Sequence, residues 1–561
     1  MAQAPQPTRI ELYDTTLRDG MQGEGLSLSV LDKIEVARRL DACGFDYIEG
    51  GYPLSNPKDA EFFAEARSGT FRLQHAVLVA FGMTRRKAVH PDADEGMRAL
   101  LESNCPILTV VGKTWDLHVH AVLEVSLEEN LRMIRESVGF LASAGRRVFY
   151  DAEHFFDGYH ANPDYALATL DTAREAGAEI IVLCDTNGGT LPQTVADATQ
   201  RIVERLHAAR SLPHDATPSQ PAPFRVGIHV HNDAGLAVAN SLAAVQAGAL
   251  HVQGTINGIG ERCGNVDLTT VAANLALKLQ YPVLRPGALA NLTDLSRFVD
   301  DLANLVPRNN QPFVGISAFA HKGGMHVHAV AKTPASYEHV DPTLVGNDRR
   351  ILVSELGGQS NIAAVAGRKF GITDRETLRR IQRTVNELEA DGYSFEAARA
   401  SFELLVRECL GQRTRLYELL HYRCEVFKSE IGDAISEATV KLRVLTSGEI
   451  QHKVAEGNGP VDALAHALRL CLREAYPSVE NVSLIDYKVR VVDGRDATRA
   501  KVRVEAEWRD EDNADIYTTL GVSPNIIDAS YLAIRDGIEF KLMQNQPVRN
   551  LATPTANPAS V

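Results

Sequence analysis

Residues 127–153, LEENLRMIRESVGFLASAGRRVFYDAE, decide the fold. Leu127–Ala144 carries apolar residues at helical spacing, Gly145 follows as a helix stop, and Arg147–Glu153 is a short, mostly apolar run ending in carboxylates. Glycine just past a helix accepts the left-handed backbone that other residues resist. An almost continuously apolar run suits a parallel strand covered on both faces. The same punctuation recurs immediately, with Tyr165–Ala176, Gly177 and Glu179–Asp185, and again at Cys43-Gly44 and Ala247-Gly248. Working outward, eight strands are expected: Ile10–Asp14, Phe45–Gly51, Leu73–Gly82, Ile107–Gly112, Arg147–Glu153, Glu179–Asp185, Arg225–His231 and His251–Ile256. Helix-period segments such as Leu31–Cys43 lie between them. This alternation predicts an α/β fold, a closed (β/α)8 TIM barrel. The rival, a doubly wound open sheet, is weakened because no GxGxxG follows the first strand.

A barrel gathers the carboxyl ends of all its strands on one face, so chemistry is sought there. His229-Val230-His231 places two imidazoles on one face of the seventh strand, a spacing that suits a metal pair. HxH alone is weak, and His118-Val119-His120 (expected in a loop) and His326-Val327-His328 are read as not ligating. Asp19, leaving the first strand through Asp14-Thr15-Thr16-Leu17-Arg18, supplies a carboxylate; the bland alternative is a turn cap at Gly20. Two histidines, one carboxylate and open positions suit Mg2+, Mn2+ or Zn2+. Arg18 can bind a carboxylate or a polarised carbonyl bidentately. Glu49, closing the second strand, is the candidate to hold it. Gly258-Ile259-Gly260-Glu261-Arg262-Cys263-Gly264-Asn265 follows the eighth strand; Gly258 and Gly260 permit close backbone approach, Glu261 lies beside them, and Asn265 is a candidate oxygen ligand.

The 561 residues predict several domains: a barrel over 1–284, linker subdomains over 285–420, a regulatory or dimerisation domain over 421–545, and a disordered tail over 546–561. Hydrophobic content of 45% and charged content of 23% are ordinary for a globular chain, and a net charge of −14 argues against a nucleic-acid partner. Seven scattered cysteines without CxxC spacing read as buried free thiols in a reducing cytoplasm. The start, MAQAPQPTRIEL, lacks a signal-peptide layout, and no apolar run is long enough for a membrane span. Ser211–Pro223 reads as a surface loop, and Arg285–Gln359 shows weak periodicity; helices resume from Asp374 to Leu420.

Beyond residue 420 the pattern changes. Strands are expected at Arg423–Lys428, Thr439–Thr446 and Gln451–Glu456, then a helix opened by Gly457-Asn458-Gly459-Pro460 and running through Tyr476. A second set follows: Val482–Val492, Ala500–Trp508, Ile516–Leu520 and a helix opened by Gly521-Val522-Ser523-Pro524. Each helix carries an Asp-Ala soon after its start, at Asp462 and Asp528. The period is a duplicated βββα unit. Bare helix N-termini bind anions, so Gly457, Asn458, Asp462, Gly521 and Asp528 are candidate effector contacts; pure dimerisation is the alternative.

LYDTTLRDGMQ, HVHND and NGIGERCGN, taken together, resemble the acyl-CoA-dependent Claisen condensation enzymes, the 2-isopropylmalate, homocitrate and citramalate synthases. The likeness extends over essentially the whole chain. EGGYPLSNPKD (49–59), GKTWDLHV (112–119) and DAEHFFDGY (151–159) are most similar to the citramalate synthase branch, and Met21 departs from the glutamate usual in isopropylmalate synthases. The resemblance implies a metal-dependent condensation of acetyl-CoA with a 2-oxo acid, pyruvate in that branch, then thioester hydrolysis to (R)-citramalate and CoA, feeding isoleucine biosynthesis. It implies that Arg18 polarises the keto group, that Glu153 and His326 are the acid–base candidates, with Tyr337 as partner, and that His326 comes from a neighbouring subunit of a homodimer. Either Glu153 or His326 could be the base. Asp151, on the strand face of Glu153, is a candidate selector of the 2-oxo acid. Isoleucine is the implied effector. Larger 2-oxo acids stay open, as do a superfamily lyase or aldolase and a sensor built on a dead barrel.

Overall fold

Eight parallel strands close in sequence order: β1 (Glu11–Asp14), β2 (Tyr47–Glu49), β3 (Val77–Met83), β4 (Ile107–Lys113), β5 (Arg147–Glu153), β6 (Ala178–Asp185), β7 (Arg225–Val230) and β8 (His251–Gly254), with β8 pairing back onto β1. The structure, a computed structural model, describes residues 8–208, 224–353, 361–428, 434–492 and 500–544. The expected loop over Ser211–Pro223 and the tail from Gln546 lie outside the described residues. The barrel fold is the expected one, with strand ends shifted by a few residues.

Local chemistry starts and stops the helices. Ser29 caps Val30–Cys43 in a reciprocal box with Asp32. Asn56 and Asn162 cap helices whose first residue is proline. Gly44 ends the first of these helices at φ +81°, and a Cβ there would stand 2.2 Å from the Arg285 side chain. Inside the barrel, Tyr13, Tyr47, Val79, Ile107, Phe149, Ile180, Val182 and Cys184 fill the middle layer. Tyr47 and Phe149 meet edge to face at 5.2 Å, and burying such a ring contributes about 2–3 kcal/mol.

The amino-terminal floor is ionic. Arg225 bridges Glu11 and Glu179, and Arg147 takes both oxygens of Glu179 at 2.6 and 2.8 Å. The Tyr47 hydroxyl donates to Glu11 at 3.2 Å.

The chain divides into two compact units. The first runs to Phe319 and takes back Val340–Asp348; the second comprises Ala320–His339 and the chain from Arg349 onward. The weakly periodic stretch after the barrel holds more helix than expected, at Leu292–Leu302 in the first unit and Gly324–Lys332 in the second. Leu292, Leu295 and Val299 form a buried stripe that the surrounding glycines and prolines mask in the sequence.

Two antiparallel sheets end the second unit: β9 (Tyr417–Phe427), β10 (Ile435–Val444) and β11 (Ile450–Gly457), then β12 (Val482–Val491), β13 (Val502–Asp510) and β14 (Ile516–Ser523). Helices Pro460–Leu472 and Ile526–Gln544 follow them, completing two βββα repeats. The duplication reaches detail: the first strand of each repeat is bulged about its fourth residue, Leu420 and Ile485. Three boundaries correct the expectation. Tyr417–Leu420 is strand, not the end of a helix, since Tyr417 pairs with Val444. Gly521-Val522-Ser523 also is strand, paired to Val504, Arg503 and Val502, so the last helix starts at Ile526. The helix after Pro460 ends at Leu472 rather than Tyr476.

Candidate active site

The mouth of the barrel is built from the residues that leave its strands. After β1 the chain turns tightly: Asp14 accepts from the Thr16 backbone and hydroxyl at 3.0 and 2.8 Å, and the Thr16 hydroxyl accepts from the Ile256 amide at 2.9 Å. Burial pushes Asp14 up to about 7 despite both Thr16 bonds. Asp19 opens the short turn Gly20–Gln22 but makes no capping hydrogen bond with its side chain. Its carboxylate faces the histidines instead, which answers the turn-cap alternative. Asp19 Oδ2 lies 3.3 Å from His229 Nε2 and 3.8 Å from His231 Nε2, and the two Nε2 atoms are 3.3 Å apart.

These three buried side chains form a group that can hold a metal ion. Metal–donor distances of about 2.0–2.2 Å put neighbouring donors roughly 3–3.5 Å apart, close to the spacing here. Asn265 adds to the fit. It is bridged through the backbone to His231, donates Nδ2 to the Ile259 carbonyl at 3.3 Å, and keeps a buried Oδ1 without a hydrogen-bond partner. Behind the group, Gln253 Oε1 sits 3.1 Å from His229 Nδ1, and Gln253 Nε2 donates to Asp151 Oδ1 at 3.1 Å. A carboxylate acceptor orients the amide, so Gln253 Oε1 takes the Nδ1 proton and leaves Nε2 free to ligate.

The arginine is fixed from several sides. Arg18 Nε donates to Glu49 Oε1 at 2.5 Å, its guanidinium lies 3.9 Å over the Phe81 ring, and NH1 is 3.4 Å from Asp19. Glu49 is fully buried and also accepts from the Thr15 hydroxyl at 2.5 Å and from Tyr13. Burial opposes the charge on Asp19, but Arg18 and His229 outweigh it and hold the carboxyl well below its ordinary range. Burial and the charge of Glu49 push Asp151 up to about 7. Beside Arg18 lies a cavity of about 670 Å3, lined among others by Met21, Leu26, Lys33, Tyr52 and Phe81.

On the opposite wall, Glu153 closes β5 two residues above Asp151 and pairs with Lys113, the last residue of β4. The HxH pair at 118–120 belongs to helical turns, Asp116–His118 and Val119–Leu123, rather than a loop. His118 stacks on Trp115 and lies 4.3 Å from the His154 ring. Burial and the charge of His154 pull His118 below its ordinary value.

Gly258 and Gly260 shape the loop after β8, and Gly264 (φ +86°) lets it fold back: a Cβ there would meet the Gly258 carbonyl at 1.9 Å. Glu261 is exposed and pairs with Arg262 at 3.5 Å, so its side chain turns to the rim. Arg262 in turn clamps Asp233 at 2.8 and 3.0 Å. The exposed Cys263 in this loop departs from the expected burial; all seven thiols are free, and Cys409 and Cys424 are part-exposed. His326 and Tyr337 belong to the second unit, where their rings stack at 4.2 Å. The candidate effector residues also lie there, and Asn458, Gly459, Pro460, Asp462 and Arg469 help line a cavity of about 620 Å3. Gly457, Gly521 and Asp528 are not among its lining; Asp528 accepts from the Tyr422 hydroxyl at 3.4 Å.

Sequence reading missed Gln253, Lys113, Tyr13 and Thr15. All occupy inward positions two residues from another inward residue, so strict alternation from His251, Val111 and Glu11 would have placed them on the inner face, though not in the site.

Comparison with known proteins now decides the family: residues 9–299 match the HMGL-like family model, 52% of the chain. The chain belongs to the HMGL-like family. Residues 313–392 match the homocitrate synthase post-HMGL domain and residues 396–542 the LeuA allosteric (dimerisation) domain. The chain is 50% identical to the (R)-citramalate synthase of Synechocystis sp., covering 96% of this chain and 97% of that one. It is 47% identical to the (R)-citramalate synthase of Geobacter sulfurreducens, covering 96% and 98%. The 2-isopropylmalate synthase of Halalkalibacterium halodurans is 29% identical over 94% and 96%. No helix among the described residues is long and apolar enough to cross a membrane.

Proposed function

We propose that the chain is an (R)-citramalate synthase, an acyltransferase that condenses acetyl-CoA with pyruvate and hydrolyses the product thioester to citramalate and CoA. One juxtaposition carries most weight: a fixed arginine, a buried carboxylate and two imidazoles converge at the barrel mouth of a chain similar to citramalate synthases along nearly its whole length. A divalent cation held by Asp19, His229, His231 and the Asn265 Oδ1 would act as a Lewis acid on the keto and carboxylate oxygens of pyruvate.

The protein's own groups do the rest. Arg18, fixed by Glu49 and Phe81, donates to the keto oxygen and stabilises the alkoxide that grows there. Glu153 takes a methyl proton from acetyl-CoA, and the resulting enolate carbon attacks the keto carbon. Asp151, buried beneath Glu153, sets the floor of the pocket and favours the small methyl of pyruvate over branched groups. The cavity beside Arg18 gives room for the thioester substrate. His326 and Tyr337, paired as a stack, join a neighbouring subunit's site in a homodimer. The outer sheet face supports pairing of two chains, since Phe427, Ile435 and Val454 are about half exposed there.

Isoleucine is the effector we assign to the cavity around Asn458–Asp462. The Pro460–Leu472 helix has no side-chain cap at Gly459, which leaves the Val461 and Asp462 amides of its first turn uncapped and able to meet a carboxylate. Filling the cavity with Val461→Tyr should abolish isoleucine inhibition while leaving uninhibited turnover intact; retained inhibition would move the site elsewhere.

The deciding assay is CoA release with acetyl-CoA, Mg2+ or Mn2+, and pyruvate, 2-oxobutyrate, 2-oxoisovalerate or 2-oxoglutarate. Preference for pyruvate supports the assignment. Preference for 2-oxoisovalerate keeps the chemistry and overturns the substrate, and turnover of none overturns the condensation itself.

A further inference from the structure

The stretch Gly112-Lys113-Thr114-Trp115 puts a lysine where the barrel wall ends. Lys113 closes β4, Glu153 closes β5, and the strand ladder sets them directly side by side. The Lys113 ammonium pairs with Glu153 Oε2, and the two side chains are only 14% and 23% exposed. Buried Asn130 fixes the backbone beneath by donating to the Lys113 carbonyl at 2.8 Å. The Trp115, His118 and His154 rings pack against one another next to the pair.

An ammonium is strongly hydrated, and drawing it into a protein wall is costly unless a negative charge faces it. Glu153 provides that charge at rest. If Glu153 takes a proton, the charge facing the lysine disappears from the carboxylate. The loss is avoided when the same negative charge reappears on an atom the ammonium can also reach. Enolisation of a thioester does this.

We propose that Lys113 is a catalytic residue of the condensation, donating to the thioester carbonyl oxygen of acetyl-CoA and holding the enolate formed when Glu153 removes a methyl proton. The proposal rests on Glu153 being the base. In the step, a methyl C–H bond breaks and its proton goes to the Glu153 carboxylate. The C–H electron pair becomes the enolate C=C bond, and the carbonyl π pair moves to oxygen; nothing is oxidised or reduced. The ammonium faces one negative charge before and one after. When the enolate carbon attacks the keto carbon, the thioester carbonyl re-forms and the charge passes to the keto oxygen, where Arg18 receives it. Three N–H donors allow the lysine to touch carboxylate and carbonyl at once. A lysine that merely closed the rim would need no such reach.

The test compares Lys113→Met, Lys113→Gln, Lys113→Arg and Glu153→Gln in the full chain, with acetyl-CoA and its methyl-deuterated form. Removing one oxyanion donor typically costs about 10^2–10^3 in kcat. Lys113→Met should lose that much and show a larger deuterium isotope effect, with metal content and KM for pyruvate unchanged. Lys113→Gln, which keeps a neutral donor, should lose less, and Lys113→Arg should recover at least tenfold of the loss. A Lys113→Met enzyme within about threefold of the parent kcat would overturn the proposal. So would a loss in both neutral variants with an unchanged isotope effect, which marks a structural brace. If Glu153→Gln is inactive while Lys113→Met is active, the lysine proposal alone fails. If Glu153→Gln stays active, the base assignment fails and takes the proposal with it.

Discussion

The two ends of the barrel are made of similar residues put to opposite use. At the floor, Arg225 and Arg147 are matched to Glu11 and Glu179 in a chain of ion pairs. At the mouth, Asp19, His229 and His231 turn their ligating atoms toward one another, and Asn265 Oδ1 and His231 Nδ1 are buried without hydrogen-bond partners. At the floor the cations and carboxylates are spent on one another and so stabilise, although Glu11 Oε2 and both ring nitrogens of His251 are buried there without a hydrogen-bond partner. The mouth keeps its polar groups oriented for something else, at the expense of stability, which is where a barrel enzyme is expected to place its chemistry.

The largest effect that could break this contrast is at the mouth. Asp19→Asn or His229→Ala should lower kcat by roughly 10^3 or more. In chelator-treated protein Asp19→Asn should lower the thermal midpoint at neutral pH, because, although burial opposes it, Arg18 and His229 hold that carboxyl ionised and so tie its charge to the folded state. An unchanged kcat in the protein that stays folded would mean that the cluster is structural.

At the floor the loss should fall on stability alone. Arg225→Met leaves Glu11 and Glu179 facing each other in a part-buried site and should cost about 2–4 kcal/mol in urea unfolding. Turnover of the protein that remains folded should stay within about twofold. Loss of kcat without loss of stability would make the two ends functionally linked.

Most of the mouth was legible because its candidate ligands sit beside strong strand signals. Asp19 follows β1 by five residues, His229 rides on β7, and His231 is the first residue after it. Gln253 and Lys113 were not legible as site residues, because what makes them important is a partner on a different strand, Asp151 for one and Glu153 for the other. The fold shows the same division. Repeating helix–Gly–strand units announced the barrel. Tyr417–Leu420 reads as the end of a helical run until its partner strand is known, and Gly521-Val522-Ser523 reads as a helix opening until β13 claims it. Local pattern reveals what a segment can do alone; pairing across sequence reveals the rest.

The contrast sharpens in the pH dependence of three carboxyls, Asp151 near the mouth against Glu11 and Glu179 at the floor, while Asp19 at the mouth is lowered as the floor pair is. Burial and Glu49 push Asp151 up to about 7, so it binds its proton more tightly folded than unfolded. Its contribution is complete below the ordinary aspartate range and is lost as pH rises through about 7. Glu11 and Glu179 behave oppositely: burial opposes their charge, but His251 and Arg225 around Glu11, and Arg147 and Arg225 around Glu179, outweigh it and lower both. Their contribution is present in neutral solution and is lost as pH falls below the ordinary glutamate range. In metal-free protein, Asp151→Asn should therefore gain about 1–3 kcal/mol over the parent at pH 8 and nothing at pH 4. Equal gains at both pH values would show that the carboxyl is ionised throughout.

The finest comparison is between two tyrosines that are direct strand partners, Tyr13 on β1 and Tyr47 on β2. Both fill the middle layer, their rings 6.1 Å apart. The Tyr13 hydroxyl points to the mouth, donating to Glu49 and lying 2.8 Å from the Thr109 hydroxyl. The Tyr47 hydroxyl points to the floor and donates to Glu11 at 3.2 Å. Replacing either with phenylalanine keeps the ring and deletes one hydroxyl, so each should cost about 0.5–1.5 kcal/mol of stability. Only one should touch catalysis. Tyr47→Phe removes one of several donors to a floor carboxylate and should leave kcat within about twofold. Tyr13→Phe removes a brace from the carboxylate that aims Arg18, and a small rotation of that guanidinium away from the keto oxygen should cost about tenfold in kcat with little change in KM for pyruvate. If both variants keep full turnover, Thr15 and Phe81 suffice to fix Glu49 and Arg18. If both lose it, the middle layer does not insulate floor from mouth, and the division between the two ends must be redrawn as one continuous hydrogen-bonded core.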